Sequence, residues 1–293
     1  MKHLEKLENK SIFILREAYA CFSNLAMLWS VGKDSTVLVH LARKAFLGHV
    51  PFPLVHIDTN FKVPEMIKYR DELAIKWKLN MVYGMNEEAI KNKNTYPDGK
   101  LSRIECCKNL KTFALKKTLD GTGIRYKMNH EKKKYEKEEK PEPYTGLILG
   151  IRADEEGSRS KERYFSPRGL DNDWNIAQQP PEFWDQYNTE FPPKTHVRIH
   201  PLLDWTELNI WEYIQKENIP VVSLYFNQGK NKRYRSLGCA PCTYPIDSSA
   251  KDTQDIIDEL KTGKLSNIAE RSGRAQDKED GGGLETLRKD GYM

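Results

Sequence analysis

Long apolar runs are missing from this chain of 293 residues. None approaches the roughly 20 consecutive apolar residues that a membrane-spanning helix requires. The N-terminal sequence Met-Lys-His-Leu-Glu-Lys-Leu-Glu is also too charged for the apolar core of a signal peptide. With 38% hydrophobic and 30% charged residues, the composition is typical of a globular protein. We therefore expect a cytoplasmic protein that does not associate with membranes.

A strong excess of one charge is missing as well. The net charge of +5 and the isoelectric point near 8.7 are only mildly basic. Such a balance suits a small dianion or ATP as readily as a polynucleotide. We therefore do not expect nucleic acid to be the partner.

Cysteine is scarce, with five residues in the chain: Cys21, Cys106, Cys107, Cys239 and Cys242. In a reducing cytoplasm, metal ligands or free thiols are more common than disulfides. We expect Cys21 to be a core thiol and the other four to form two pairs.

A Walker phosphate-binding sequence, with four residues between its first glycine and Gly-Lys-Ser/Thr, is missing too. In its place stand an apolar run at residues 25–29, a glycine-containing turn, and apolar residues at helical spacing over 36–46. A turn between a strand and a helix offers backbone amides and the positive end of the helix dipole to an anion. An ordinary glycine turn is the alternative. We predict a phosphate site formed by Ser30, Gly32, Lys33, Asp34, Ser35 and Thr36.

The following segments alternate between strand and helix. Residues 54–57 predict a second strand closed by Asp58, residues 64–77 a helix, and residues 81–83 a third strand. Strand–helix–strand units of this length form right-handed crossovers in parallel sheets. Ligands of such sheets bind at the carboxyl ends of the strands. Ser30 and Asp58 should therefore lie at one edge, joined by Gly150 from a later strand at 144–151.

The rest of the chain predicts a domain organisation. A mixed-charge run within residues 121–143 is typical of a solvated, mobile insertion. From Tyr234 onward the sequence becomes rich in loops. We predict an α/β domain of parallel sheet and flanking helices over residues 1–225, followed by a C-terminal extension over residues 226–293.

These motifs resemble the sulfate adenylyltransferase subunit 2 family, the small catalytic subunits of heterodimeric bacterial ATP sulfurylase, within the ATP pyrophosphatase and PAPS reductase superfamily. The match runs through Ser30-Val-Gly-Lys-Asp-Ser35, His56-Ile-Asp58-Thr59, Arg152-Ala-Asp-Glu-Glu156, Ser158-Arg-Ser-Lys-Glu-Arg163 and Glu270-Arg-Ser-Gly-Arg274. The resemblance implies an adenine nucleotide α-hydrolase-like sheet. It also implies that ATP and sulfate give adenosine 5′-phosphosulfate and pyrophosphate.

The resemblance further implies residue roles and partners. Lys33, Ser35 and the loop amides would hold the β- and γ-phosphates with Mg²⁺ bridging them, and Asp58 would lie near the nucleoside. Sulfate is a poor nucleophile, so it must be positioned and the departing pyrophosphate stabilised. The candidates for binding sulfate or the α-phosphate are Arg152, Arg159 and Arg163, although each could instead be an ion-pair partner of neighbouring acids. A GTPase large subunit is the implied partner, because forming the phosphosulfate anhydride is uphill.

The paired cysteines depart from that family. Cys106-Cys107 and Cys239-x-x-Cys242 resemble the cluster motif of iron–sulfur adenylylsulfate reductases. Four thiolates could hold a [4Fe–4S] cluster; zinc and metal-free thiols are the alternatives. Those reductases also need a nucleophilic cysteine in the C-terminal tail, and no cysteine follows Cys242. Reduction is therefore disfavoured.

Two other functions remain open from the sequence. One is a related ATP pyrophosphatase that activates a nucleic acid or small molecule for sulfur insertion and uses the cluster. The other is a non-catalytic subunit that binds ATP without turnover. Pyrophosphate release that depends on sulfate, on a polynucleotide, or on neither would separate the three.

Overall fold

The computed structural model describes residues 2–129, 131–132, 134–169, 173–192, 195–278, 287 and 289–291. Its helices are α1 (Lys2–Cys21), α2 (Lys33–Ala45), α3 (Pro64–Lys76), α4 (Glu87–Lys91), α5 (Arg103–Cys107), α6 (Ala114–Asp120), α7 (Glu207–Glu217) and α8 (Thr253–Lys261), with a π-helix at Lys108–Phe113. Its strands are β1 (Leu25–Leu28), β2 (Leu54–Ile57), β3 (Met81–Gly84), β4 (Arg125–Asn129), β5 (Lys134–Lys137), β6 (Gly146–Ile148), β7 (Phe165–Pro167), β8 (Val197–Ile199), β9 (Lys232–Arg233) and β10 (Ile246–Asp247).

The large sheet is parallel at its centre and antiparallel at its edges. Its strand order is β5-β4-β3-β2-β1-β6-β8-β7. Strands β3, β2, β1, β6 and β8 pair in parallel, whereas β4, β5 and β7 pair antiparallel. From β1 the chain runs outward to β2 and β3 on one side and later to β6 on the other. Such a switch point opens a crevice at the carboxyl ends of the strands, and the predicted mostly parallel α/β sheet is confirmed.

Apolar side chains cover both faces of the central strand β1. Leu25 and Met27 pack in one core cluster with residues of α1, α2 and α7. Ala26 and Leu28 pack in a second cluster with Leu115 and its neighbours on α6. A parallel strand that is buried on both faces reads as a continuous apolar run, which explains why residues 25–28 carry no polar side chain.

Helix α2 begins earlier than its apolar pattern. It starts at Lys33, directly after its N-cap residue Gly32, whereas apolar residues begin at Val37. The polar residues between them form the first helical turn, where backbone N–H groups lack acceptors within the helix. This turn lies beside the end of β1, and the start of a helix is the kind of position at which proteins bind anions.

The charged insertion contains more structure than the sequence indicated. Strands β4 and β5 form an antiparallel hairpin that extends the sheet beyond β3. Tyr135 anchors it, because its hydroxyl group hydrogen-bonds that of Tyr83 at 2.9 Å and the two rings meet edge to face. The expectation of a mobile insertion missed this hairpin, since the side chains of β5 are exposed and give no apolar pattern.

Two further expectations differ from the structure. Cys21 is exposed at the end of α1, so its assignment to the core was wrong. The helix predicted over residues 104–119 is continuous but changes to π geometry over Lys108–Phe113. Such π segments are rare and occur frequently at functional sites.

The C-terminal part packs closely onto the sheet domain. Helix α8 lies against α7, and Ile256 and Ile257 belong to the same core cluster as Val37. The division at residues 225 and 226 stays a prediction. Among the described residues, no helix is both long enough and apolar enough to span a membrane.

Candidate active site

A cavity of about 130 Å³ lies beside the loop after β1 and the carboxyl end of β6. The strand order reverses between these two strands, so the cavity occupies the crevice that the sheet topology predicts. Its wall combines the two halves of the chain: Ser30, Gly32, Lys33, Asp34, Ser35, Thr59, Lys62, Lys111, Gly150, Glu155 and Arg159 from the first, and Tyr225, Gly238, Glu270, Arg271 and Arg274 from the second, among others.

The loop after β1 is closed by hydrogen bonds within itself and to Tyr225. The hydroxyl groups of Ser30 and Ser35 lie 3.1 Å apart, and the backbone N–H of Lys33 donates to the Tyr225 hydroxyl at 2.9 Å. The positive φ of the loop falls on Val31, at 70°, rather than on Gly32. A β-branched residue rarely adopts this conformation, and such strain is typical of functional loops.

Lys33 lies in a buried network of opposite charges. Its ammonium group contacts the carboxylate of Glu270 and lies 3.2 Å from that of Asp34. Arg152 holds the same two carboxylates, with distances of 2.7 Å to Asp34 and 2.5 Å to Glu270. Burial opposes the charge on Lys33, but Asp34 and Glu270 raise its pKa well above the ordinary value. Lys33 is therefore a fixed cation at the start of α2.

The three arginines predicted to bind sulfate lie in different environments. Arg152 is fully buried and also contacts Asp154, and it is not part of the cavity wall. Arg159 lines the cavity and contacts Glu155. Arg163 lies outside the cavity wall, where its guanidinium donates at 3.3 Å to the backbone carbonyls of Pro180 and Glu162. The structure thus brings only Arg159 of the three to the cavity surface.

The remaining nucleotide-binding candidates, Gly150, Thr36 and Asp58, differ in their position relative to the cavity wall. Gly150 lines the cavity, and a Cβ added to it would lie 3.1 Å from the backbone N of Ser35, so this glycine permits β6 and α2 to approach closely. The Thr36 hydroxyl accepts a hydrogen bond from the indole of Trp29 at 3.2 Å. Asp58 accepts from the backbone N–H of Asn60 at 2.8 Å. Neither Thr36 nor Asp58 is part of the cavity wall.

A second group of cations lines the cavity: Lys62, Lys111 and Arg274. They come from the loop after β2, the π-helix and the C-terminal segment, respectively. Burial and the charges of Lys111 and Arg274 lower the pKa of Lys62 to about 8, against the opposing effects of Cys239 and Asp58. Three cations therefore crowd one part of the wall.

The four paired cysteines are buried and close to one another. Burial and the neighbouring thiols of Cys107, Cys239 and Cys106 raise the pKa of Cys242 to about 11. Burial opposes ionisation of Cys239 as well, but Lys111 and Lys62 lower its pKa to about 7. In the part of the chain that the structure describes, however, no three His, Cys, Asp or Glu side chains are arranged to hold a metal ion. The arrangement therefore does not support the predicted cluster.

Sequence reasoning missed several residues of the cavity wall: Tyr225, Lys62, Glu270, Arg271 and Arg274. Lys111, which also lines it, follows the first cysteine pair and is a lysine that the sequence placed within reach of the substrate anion. The motif from Glu270 to Arg274 had been recognised, but without a role. The signal available in the sequence was the charge of Glu270, Arg271 and Arg274, whose position on the cavity wall only the structure shows.

Comparisons with known proteins show the family and the fold of this chain. The phosphoadenosine phosphosulfate reductase domain family matches residues 24–245. A protein of Geotalea daltonii named sulfate adenylyltransferase subunit 2 is 37% identical, with 100% of this chain and 99% of that protein covered. Proteins of the same name from Shewanella amazonensis and Rhizobium meliloti are each 38% identical, covering 100% and 99% of this chain and 98% and 93% of their own lengths.

A solved structure resembles the fold. The crystal structure of Candida glabrata FMN adenylyltransferase, in complex with FMN and the ATP analogue AMPCPP, gives a TM-score of 0.56. It is 16% identical, and 93% of this chain and 88% of that chain are covered. At this identity the likeness shows a shared fold.

Proposed function

This chain belongs to the sulfate adenylyltransferase subunit 2 family of nucleotidyltransferases, and on that premise we propose that it catalyses adenylyl transfer from ATP to sulfate. The products are adenosine 5′-phosphosulfate and pyrophosphate. The observation that carries the proposal is the cavity at the switch point, which joins an anion-binding loop and Lys33 to further cations on one wall.

The loop would bind the pyrophosphate part of ATP. Backbone N–H groups at the start of α2, the Ser35 hydroxyl and the fixed charge of Lys33 are donors suited to phosphate oxygens. As pyrophosphate leaves, negative charge accumulates on it, and preorganised donors stabilise that charge without reorganising. Arg152 acts as a positioning residue, because it holds the carboxylates of Asp34 and Glu270 that in turn hold Lys33.

Magnesium would enter with the nucleotide. Mg²⁺ in such sites is held by one or two carboxylates together with substrate phosphates. Asp34 and Glu270 are carboxylates on the cavity wall, but Lys33 and Arg152 already engage both. We propose that the metal binds chiefly through the β- and γ-phosphates, where it would neutralise charge on the leaving group.

Arg159 is the arginine proposed to contact sulfate or the α-phosphate. It lines the cavity, and its buried Nε has no hydrogen-bond partner among the described residues. A guanidinium presents a planar fork that matches oxyanions. Contacts of Arg163 with sulfate and of Asp58 with the nucleoside stay predictions.

The chemistry of the reaction suggests a partner subunit and a cellular compartment. The relatives are named as subunit 2, and we propose a GTPase large subunit as the partner, since GTP hydrolysis would drive the uphill formation of the phosphosulfate anhydride. We propose that the protein acts in the cytoplasm, where ATP is available and the thiols stay reduced.

An iron–sulfur cluster on the four cysteines is a separate proposal. Its support is that both pairs lie in one buried group beside the cavity. Because the thiols are not arranged as metal ligands, no catalytic step is assigned to it. Iron analysis and visible absorption of protein purified without oxygen test it, and colourless, iron-free protein would remove the cluster and, with it, the support for a sulfur-insertion enzyme.

Sulfate-dependent release of pyrophosphate from ATP is the decisive measurement. The chain is assayed alone and with the large subunit and GTP, and pyrophosphate is consumed by inorganic pyrophosphatase to draw the reaction forward. We expect release to require sulfate and to be lost in Ser35→Ala but kept in Ser266→Ala, whose side chain is exposed. Release that requires RNA or DNA instead would favour sulfur insertion, and no release would indicate a non-catalytic subunit.

A further inference from the structure

We infer that Lys62, Lys111 and Arg274 form a binding subsite for the oxyanion acceptor, a tetrahedral dianion of the sulfate class. The inference rests on the proposed adenylyl transfer and names the residues that receive its second substrate. These three cations share the cavity wall with the loop after β1, and none of them is among the residues that pair with Lys33 or Arg152.

One turn of the chain pairs through its backbone with two of the three cationic residues, Lys62 and Arg274. The turn from Cys239 to Thr243 is bridged to Lys62 by the backbone of Cys239, and to Arg274 by the backbone of Thr243. The N–H of Ala240 also donates to the carbonyl of Phe61 at 2.7 Å. The cysteine-containing turn is therefore the scaffold that sets Lys62 and Arg274 beside each other.

Lys111 reaches the same wall from the π-helix. It is 6% exposed, and its ammonium group lies 3.6 Å from the Cys107 sulfur. A π segment shifts the side-chain register relative to an α-helix, and such segments frequently mark functional sites. Here the segment carries a buried cation on the cavity wall.

The surroundings of Arg274 differ from those of the cations in the Lys33 network. Lys33 and Arg152 are matched by Asp34 and Glu270. Arg274, which is 5% exposed, donates to the Ser236 hydroxyl and the Leu237 carbonyl, both uncharged. Its buried Nε has no hydrogen-bond partner among the described residues.

Cations gathered in a buried wall repel one another, and a bound anion removes that cost. A dianion with tetrahedral oxygens can accept from two ammonium groups and a guanidinium fork together. Because the phosphate loop lines the same cavity, an anion held here is kept close to the triphosphate. Such proximity is what a weak nucleophile needs in order to react at the α-phosphorus.

The test compares Michaelis constants for the two substrates in the complex with the large subunit. We expect Lys62→Gln and Arg274→Gln to raise the KM for sulfate on the order of ten- to a hundredfold, while the KM for ATP changes less than about twofold. Lys62→Arg should retain most sulfate affinity. Lys68→Gln is the matched control, since Lys68 is 77% exposed on the neighbouring helix.

Gly238→Ala tests the geometry without removing a charge. An added Cβ would lie 2.5 Å from the guanidinium carbon of Arg274, so the guanidinium must move while the glycine backbone tolerates alanine. We expect this variant to raise the KM for sulfate as well. An unchanged sulfate KM in all three variants, or an equal rise for ATP, would overturn the subsite.

Calorimetry separates this inference from the proposed function. Sulfate is titrated into the complex in the presence of a non-hydrolysable ATP analogue. Binding that is lost in Lys62→Gln supports the subsite even if the wild type releases no pyrophosphate, a result that would reject the proposed function alone. Sulfate-dependent turnover with undiminished sulfate binding in Lys62→Gln would reject the subsite alone.

Discussion

Replacing Lys33 with methionine separates its electrostatic role in folding from its role at the phosphates. The side chain of Lys33 is 2% exposed and that of Glu270 is 7% exposed. Removing the ammonium group leaves Asp34 and Glu270 with Arg152 as their shared cation, so one negative charge is uncompensated. Loss of one partner of a buried pair costs about 3–5 kcal/mol of unfolding free energy.

That cost is measurable as a melting temperature. An unfolding entropy of about 2.1 cal/mol/K per residue gives roughly 0.6 kcal/mol/K for 293 residues. We therefore expect Lys33→Met to lower the Tm by about 5–8 °C. Activity must accordingly be measured at a temperature at which the variant remains folded, with circular dichroism as the check.

The double variant Lys33→Met/Glu270→Gln isolates catalysis. It leaves Arg152 matched with Asp34, so we expect at least about half of the lost stability to return through the coupling of the two sites. Pyrophosphate release should not return, because an ammonium group that stabilises the leaving group contributes about 2–4 kcal/mol, or roughly 30- to 1000-fold in kcat/KM. Recovery of activity in parallel with stability would refute a direct role of Lys33 at the phosphates.

Three further predictions follow from the same contacts. Gly150→Ala pushes against the backbone of Ser35, so the loop must shift and the KM for ATP should rise about tenfold; an unchanged KM in steady-state assays would contradict this. Arg159→Ala should reduce kcat/KM by about tenfold or more, and Arg163→Ala, outside the cavity wall, should have a smaller effect; an effect of Arg163→Ala as large as that of Arg159→Ala would contradict the difference in position. Burial raises the pKa of Glu270, but Arg152 and Lys33 hold it below its ordinary 4.5, so the ionised carboxylate stabilises the fold fully above that pH and less as the pH falls through the lower folded pKa. The difference in unfolding free energy between wild type and Glu270→Gln should therefore shrink in acid denaturation below about pH 4.5, and a difference that does not change with pH would contradict this prediction.

The local parts of the site could be predicted from the sequence, because they depend on residues close together in the chain. The apolar run, the turn and the first turn of α2 lie within a short segment, and a strand followed by a helix leaves few alternatives for the loop between them. The parallel sheet, with ligands at the carboxyl ends of its strands, follows from the order of predicted strands and helices. Both predictions need only periodicity and the known geometry of parallel sheets.

The charge pairing could not be predicted, because it depends on residues far apart in the chain. Glu270 lies 237 residues from Lys33, and no local pattern indicates that the two meet. Arg152 and Arg163 look alike in sequence, each beside acidic residues, yet one is buried under the phosphate loop and the other lies outside the cavity wall. Only tertiary packing distinguishes them.

The C-terminal segment links the stability of the site to its chemistry. Glu270 matches the buried charge of Lys33 and Arg152, and four residues later Arg274 adds a cation to the proposed acceptor subsite. A chain ending at residue 225 would keep the phosphate loop but lose both. Of the carboxylates that they contact, Lys33 would then keep Asp34, and Arg152 would keep Asp34 and Asp154. Loss of a partner from a buried group of charges is strongly destabilising. Assembly of the cavity therefore requires the C-terminal segment to dock, so substrate binding and the folding of that segment should stabilise each other.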